Sequence, residues 1–266
     1  MDPMTLLAPL LGLALGVTMN ALADNLPRSR RPGMPRCAHC GGPRQGAARS
    51  GILAWALGKR SCPFCGRDMG LRPPLVELLA TVGGALIYQY DPAPQEFWPA
   101  IAVFTIYALI VVIDIEHRLI LHVVTVPAAL LLGAIGSLDP NRGLVRTLLG
   151  GAAGFGILMG LYLLGGLFAQ GMARLRGRTL DEVALGFGDV TLSAVIGLTL
   201  GWPGVVAALL LGVFAAGLFS SAFLLIMLAR RRYVAFTPIP YGPFLVLGAL
   251  LVYFGAGARL LSLAPG

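Results

Sequence analysis

Apolar residues run through this chain in long unbroken stretches, neither alternating as in a half-buried strand nor striped as in a surface helix. The stretches fall at 4–23, 74–90, 97–115, 119–137, 144–170, 183–201, 203–229 and 238–262, most of them near the roughly 20 residues a helix needs to cross hydrocarbon. Turn residues mark several of the breaks, as at Asp91-Pro92, Asp139-Pro140 and Trp202-Pro203-Gly204. A chain inside lipid must satisfy its backbone N–H and C=O groups within its own segment, so each run predicts a helix. The pattern predicts an all-α polytopic membrane protein with about eight transmembrane helices. The first run is longer than the apolar part of a cleaved signal and lacks its basic flank, so it counts as a span.

Composition agrees: 57% of the 266 residues are hydrophobic and only 12% are charged, about half the charged fraction of a typical soluble domain. One long polar segment interrupts the pattern. It divides the chain into a first span at 1–23, a loop at 24–73 and a helical bundle at 74–266. Of the twenty Lys and Arg, all but Arg142, Arg146 and Arg259 fall in that loop or in the turns that alternate with it on one side of the membrane. Basic loops stay cytoplasmic, which places the 24–73 loop inside and both termini outside. The net charge of +8 is then the ordinary signature of loops beside anionic headgroups, and no nucleic-acid partner is expected.

Two carboxylates stand at the edges of apolar runs, Asp114 in VVIDIEHRLI and Asp189 in ALGFGDVTLS. An ionisable group at membrane depth costs several kcal/mol in round terms and is usually retained for function. Asp114 ends the third span and Asp189 opens the sixth, so the topology places both near the cytoplasmic face. Two close carboxylates share one proton and suit peptide hydrolysis: the ionised partner activates water, and the protonated one polarises the scissile carbonyl. Gly186 and Gly188, lacking side chains, let a substrate backbone approach the second acid. The plainer uses are a helix cap for Asp189 and, for Asp114, a surface pair with His117 or Arg118. Glu116 reads as an interfacial neighbour of Asp114.

All four cysteines lie in the polar loop, as Cys37-Ala38-His39-Cys40 and Cys62-Pro63-Phe64-Cys65 with 21 residues between the pairs. Two such turns predict a tetrahedral thiolate site, with zinc as the default ion and a structural role, because four protein ligands leave no open position. The segment has too few apolar residues for a core, so metal would supply much of its folding energy. Disulfides are the alternative, disfavoured in a reducing compartment.

Taken in order, these features resemble the bacterial prepilin peptidase family. Gly16, Asn20, Leu26 and Pro27 match its N-terminal signature, the paired cysteines follow, and Pro74-Leu75-Val76-Glu77-Leu78-Leu79 matches the entry to its second span. Asp114 matches the first catalytic aspartate, Gly186-Phe187-Gly188-Asp189 the GxGD motif, and Pro240-Tyr241-Gly242-Pro243 the C-terminal Pro-x-Gly-Pro. The chain differs in having Asn25 for Arg, Leu121-His122 for Pro followed by Asn or Asp, and Thr191 for Lys. The resemblance implies a multi-pass protein of the bacterial inner membrane that removes the basic leader of type IV prepilins or type II secretion pseudopilins on the cytoplasmic side. It also implies N-methylation of the new terminus with S-adenosylmethionine, for which no residue is identified. A basic leader needs local acids, and Glu77, Glu116, Asp181 and Glu182 are the candidates, with the substrate helix entering from membrane lipid between spans. Two other readings are a presenilin-like GxGD intramembrane protease and a proton- or cation-coupled transporter with a metal-sensing loop.

Overall fold

The computed structural model describes residues 3–90, 93–176, 186–230 and 240–255. Each expected span is a helix: α1 (Pro3–Ser29), α3 (Arg72–Tyr90), α4 (Pro94–His117), α5 (His122–Leu138), α6 (Gly143–Arg176), α7 (Phe187–Leu200), α8 (Gly204–Ala229) and α9 (Gly242–Tyr253). A short helix, α2 (Gly51–Ala56), lies within the polar loop. The described residues form no sheet, and their only strand-like pairings are two isolated bridges beside the cysteines.

Among the described residues, four helices are long and apolar enough to cross a membrane: α1, α4, α6 and α8. The other apolar helices are shorter within the described residues, and positions 183–185, 238–239 and 256–262 of the expected spans lie outside them. α5, α7 and α9 have 17, 14 and 12 residues, or about 25, 21 and 18 Å at 1.5 Å per residue, against roughly 30 Å of hydrocarbon.

The chain forms two compact units, Met1–Ile113 and Asp114–Gly266. The boundary falls inside α4, and the polar loop is packed onto the helices that flank it. In the first unit α1 lies against α3 through small residues. A Cβ on Gly12 would overlap the carbonyl of Ala80, one on Gly16 would sit 2.7 Å from the Glu77 Cα, and one on Gly84 would sit 2.7 Å from the Ala8 carbonyl oxygen. Apolar burial cannot drive helix association where the solvent is itself apolar, so close backbone packing between small residues takes over.

The second unit is built around α7, which packs on α5, α6, α8 and α9. The same device recurs there. Gly150 and Gly154 of α6 meet Gly197 and Ser193 of α7 backbone to backbone, and the Ser193 hydroxyl donates to the Gly154 carbonyl at 2.8 Å. Gly212 of α8 and Gly248 of α9 make the third such seam. The outside is apolar, with Leu130, Leu210, Phe214 and Leu218 all exposed, as expected where the surrounding solvent is lipid.

Candidate active site

Asp114 occupies the last turn of α4, which stops three residues later because Arg118 turns left-handed (φ 53) while its N–H still donates to the Asp114 carbonyl at 2.8 Å. The side chain is only 5% exposed. One carboxylate oxygen, Oδ2, accepts the backbone N–H of Gly242 at 3.1 Å. Gly242 opens α9, and a helix's first turn has N–H groups with no partner in the helix, so the donor is supplied by position. A Cβ at 242 would stand 2.6 Å from that same oxygen. Glycine is what lets the carboxylate reach the amide.

Asp189 is the third residue of α7 and 8% exposed, and its Oδ2 accepts the Gly186 N–H at 3.0 Å. The carboxylate thus caps its own helix, as the plainer sequence reading allowed, with one of its two oxygens. Tyr241 of the Pro-x-Gly-Pro motif is the residue from which α9 starts. Ile120, between α4 and α5, explains how the motifs are brought together. A Cβ at Gly188 would lie 2.8 Å from the Ile120 Cβ, and one at Gly242 would lie 3.4 Å from its Cδ1. One side chain therefore packs against the glycine preceding Asp189 and the glycine bonded to Asp114.

The space that the missing side chain of Gly188 leaves is taken up by Ile120. Gly186 is exposed, and among the described residues a Cβ there would meet only Asp189 and Gly188. Phe187 between them is 44% exposed and is stacked by His122 at 5.9 Å and 21°, with Tyr162 edge-on at 6.3 Å. His122 thus takes the place of an acid or amide by covering the motif with a ring. Thr191 folds back, its hydroxyl donating to the Gly188 carbonyl at 2.8 Å.

The expected leader-binding acids differ in their surroundings. Glu116 is exposed two residues beyond Asp114, with an oxygen 3.8 Å from His117 Nε2. Asp181 and Glu182 lie outside the described residues. Glu77 is fully buried in the first unit. Its Oε1 accepts the Gly51 N–H at 2.6 Å and the Asn20 amide at 3.1 Å, and its Oε2 accepts the Ser50 hydroxyl at 2.6 Å and the Ile52 N–H at 2.9 Å. Four donors occupy both oxygens. The carboxylate pins α2 to the α1–α3 pair and presents nothing to a passing leader. Asp24 plays a similar part, paired with Arg72 and, at 3.9 Å, with Arg44.

The four cysteine sulfurs lie within 4.8 Å of one another. Two repeated turns put them there. In each, the first cysteine donates to the carbonyl five residues on (Cys37 to Gly42, Cys62 to Arg67, both 2.9 Å) and accepts from a left-handed glycine four residues on (Gly41, φ 71; Gly66, φ 69). Cys37 and Cys65 sulfurs are 3.8 Å apart, and those of Cys40 and Cys62 are 3.6 Å apart. Sulfurs at tetrahedral corners about 2.3 Å from a zinc would be about 3.8 Å apart, so the set fits that ion. The amides of Phe64 and Cys65 draw the Cys62 thiol down to about 6. Cys65, though favoured by the Arg67 amide, is pushed up to about 11 by desolvation and the neighbouring sulfurs. A divalent cation removes that conflict between thiolates. His39 turns to Arg67 instead, with Nδ1 3.3 Å from a guanidinium nitrogen.

The sequence marks the Pro-x-Gly-Pro motif without assigning it a task, and neither Ile120 nor Tyr241 stands out in it. A glycine beside a proline at a helix start, with its amide free, was the available signal for Gly242.

Comparison with known proteins covers most of the chain in two adjoining matches. Residues 10–90 match the bacterial peptidase A24 N-terminal domain, and residues 101–221 match the type IV leader peptidase family. A protein of Xanthomonas campestris pathovar campestris named prepilin leader peptidase/N-methyltransferase is 28% identical over 76% of this chain and 66% of its own length. Proteins of the same name from Bacillus subtilis (28% identical; 76% of this chain, 73% of the relative) and Burkholderia pseudomallei (29%; 90% and 73%) are similar. The chain thus spans about two thirds to three quarters of the length of these relatives. No solved structure matches it. Both matches fall on the helices and loop that carry the paired cysteines, Asp114 and Asp189, and on that ground the chain belongs to the type IV leader peptidase family.

Proposed function

We propose that this chain is a membrane aspartic endopeptidase that removes the basic leader from type IV prepilins or type II secretion pseudopilins, with Asp114 and Asp189 as its catalytic pair. The observation that carries the reading is the packing of one side chain, Ile120, against both Gly188 and Gly242, because it ties the two acid-bearing motifs to a common point. In this reading the two buried carboxylates share one proton between them. The ionised member accepts a proton from water as that water attacks the scissile carbonyl. The protonated member donates to the carbonyl oxygen as charge develops there; on collapse a hydroxyl of the tetrahedral intermediate returns that proton to it, and the other member gives the leaving amine the proton it took from water. The Gly242 amide orients Asp114, and the Gly186 amide orients Asp189. Exposed Gly186 leaves room for an extended substrate backbone, and Glu116 offers a charge to a basic leader.

The excess of Lys and Arg in the 24–73 loop supports cytoplasmic placement of that loop and of the acids. In this reading Cys37, Cys40, Cys62 and Cys65 hold a structural zinc whose chemistry is to bind four thiolates and fold the loop. N-methylation of the new terminus is the second activity, using S-adenosylmethionine as methyl donor. The test is to incubate the purified protein in detergent with a synthetic prepilin and S-adenosylmethionine and to read products by mass. Loss of the leader mass shows cleavage, and a methyl increment on the mature fragment shows the second step. An intact prepilin after long incubation, with folded protein present, would refute the peptidase reading.

A further inference from the structure

The α2 helix has two faces. Gly51 and Ala54 are buried, while Leu53 and Leu57 just after the helix are 52% and 60% exposed. Glu77 sets the depth of this helix: its carboxylate holds the Gly51 and Ile52 amides, and a Cβ on Gly51 would overlap Pro73 and Pro74. The start of α2 is therefore fixed beside the first turns of α3. Glu77 comes five residues after Arg72, the first residue of α3, or about 7.5 Å along the axis. Arg72, paired with Asp24, marks the polar end of that helix.

At this same level Leu75, Leu78 and Leu79 of α3 are each more than half exposed. On a helix of a polytopic membrane protein such positions face lipid. α2 packs on α3 at Glu77, so its first turn stands at the same depth as these lipid-facing positions. The flanks are basic: Arg49 precedes α2, Lys59 and Arg60 follow it, and all three are exposed. The Arg60 guanidinium lies 3.8 Å over the Trp55 ring, a pairing of amphipathic groups suited to headgroup level.

We propose that α2 is an interfacial helix of the bilayer. Leu53 and Leu57 enter the acyl boundary while Arg49, Lys59 and Arg60 meet anionic headgroups, and the cysteine turns before and after α2 are thereby held at the membrane surface. The depth agrees, since helices of this kind bury their apolar face roughly 5–10 Å into the boundary.

The test uses the native chain in vesicles of phosphatidylethanolamine and phosphatidylglycerol, labelled by a lipid-soluble diazirine and read peptide by peptide by mass. Residues 51–57 should carry label comparable with that on 75–79, with 38–43 clean. Label confined to 75–79 would overturn the proposal. Loss of the 51–57 label on adding a peptide of a prepilin's hydrophobic segment, with 75–79 unchanged, would assign the surface to a substrate helix and overturn it as well. Exchanging phosphatidylglycerol for phosphatidylcholine should lower the 51–57 label selectively, and an unchanged label would overturn the part given to the three basic residues.

Discussion

Replacing Gly242 with alanine tests the proposed site at one atom. The added Cβ would stand 2.6 Å from Asp114 Oδ2, whereas carbon and oxygen in van der Waals contact need more than about 3 Å, so the two must part by roughly half an ångström or more. The neighbour cannot yield cheaply, because Asp114 is buried and holds the Gly242 amide in the same place. A displacement of about 1 Å at a reacting group costs on the order of 100-fold in rate, equal to about 2.7 kcal/mol of barrier. Helix α9 itself should not suffer, since alanine is the better helix former. Initial rates of synthetic prepilin cleavage should therefore show kcat down about 100-fold with KM little changed, and a melting curve in detergent close to wild type. Gly156→Ala in α6 is the matched control: a Cβ there meets nothing within 4 Å, and its rate should be unaltered. A Gly242→Ala enzyme that cleaves at the wild-type rate would refute the placement of Asp114 at the reacting centre.

Asp114→Asn and Asp189→Asn should each abolish cleavage with the melting temperature preserved, and turnover by either in the mass assay would remove the pair. The protein should copurify with about one zinc per chain, lost from the Cys37→Ser, Cys62→Ser double variant when metal is counted by elemental mass spectrometry. In chelator-stripped protein near neutral pH, Cys62 should alkylate before Cys65. With its pKa lowered to about 6 it is thiolate above that pH, and its reactivity should fall as pH drops through 6, while Cys65, raised to about 11, stays protonated. Glu77→Ala strips the acceptor from four donors, and with each stranded buried donor costing about 1–3 kcal/mol the loop should become protease-sensitive between residues 30 and 70 in limited digestion; a resistant loop would show that Glu77 does not hold it.

How much of this was legible beforehand depends on the range of the interaction. The eight helices followed from runs of apolar residues, because in lipid the backbone has one local way to satisfy itself. The cysteine cluster followed from spacing, since a Cys-x-x-Cys turn aims its own two sulfurs and a left-handed glycine closes it at Gly41 and Gly66. The two aspartates stood out because a carboxylate beside an apolar run needs a reason to be there.

Tertiary structure decided what each carboxylate does with its oxygens. Glu77 and Asp114 look alike in the sequence, single acids bounded by apolar neighbours. One is satisfied by donors from residues 20 and 50–52, and the other by the amide of residue 242, which is 128 positions away. Burial makes an unpaired carboxylate costly and so guarantees that partners exist, but their identity depends on which backbones come close. That in turn rests on glycine seams and on Ile120, whose importance is a matter of shape and leaves no trace in polarity or period. The same limit hid the stacking of His122 on Phe187. Hydrophobic pattern sets which segments are helices, whereas contact between segments sets which of their polar groups face a reaction and which only hold the frame.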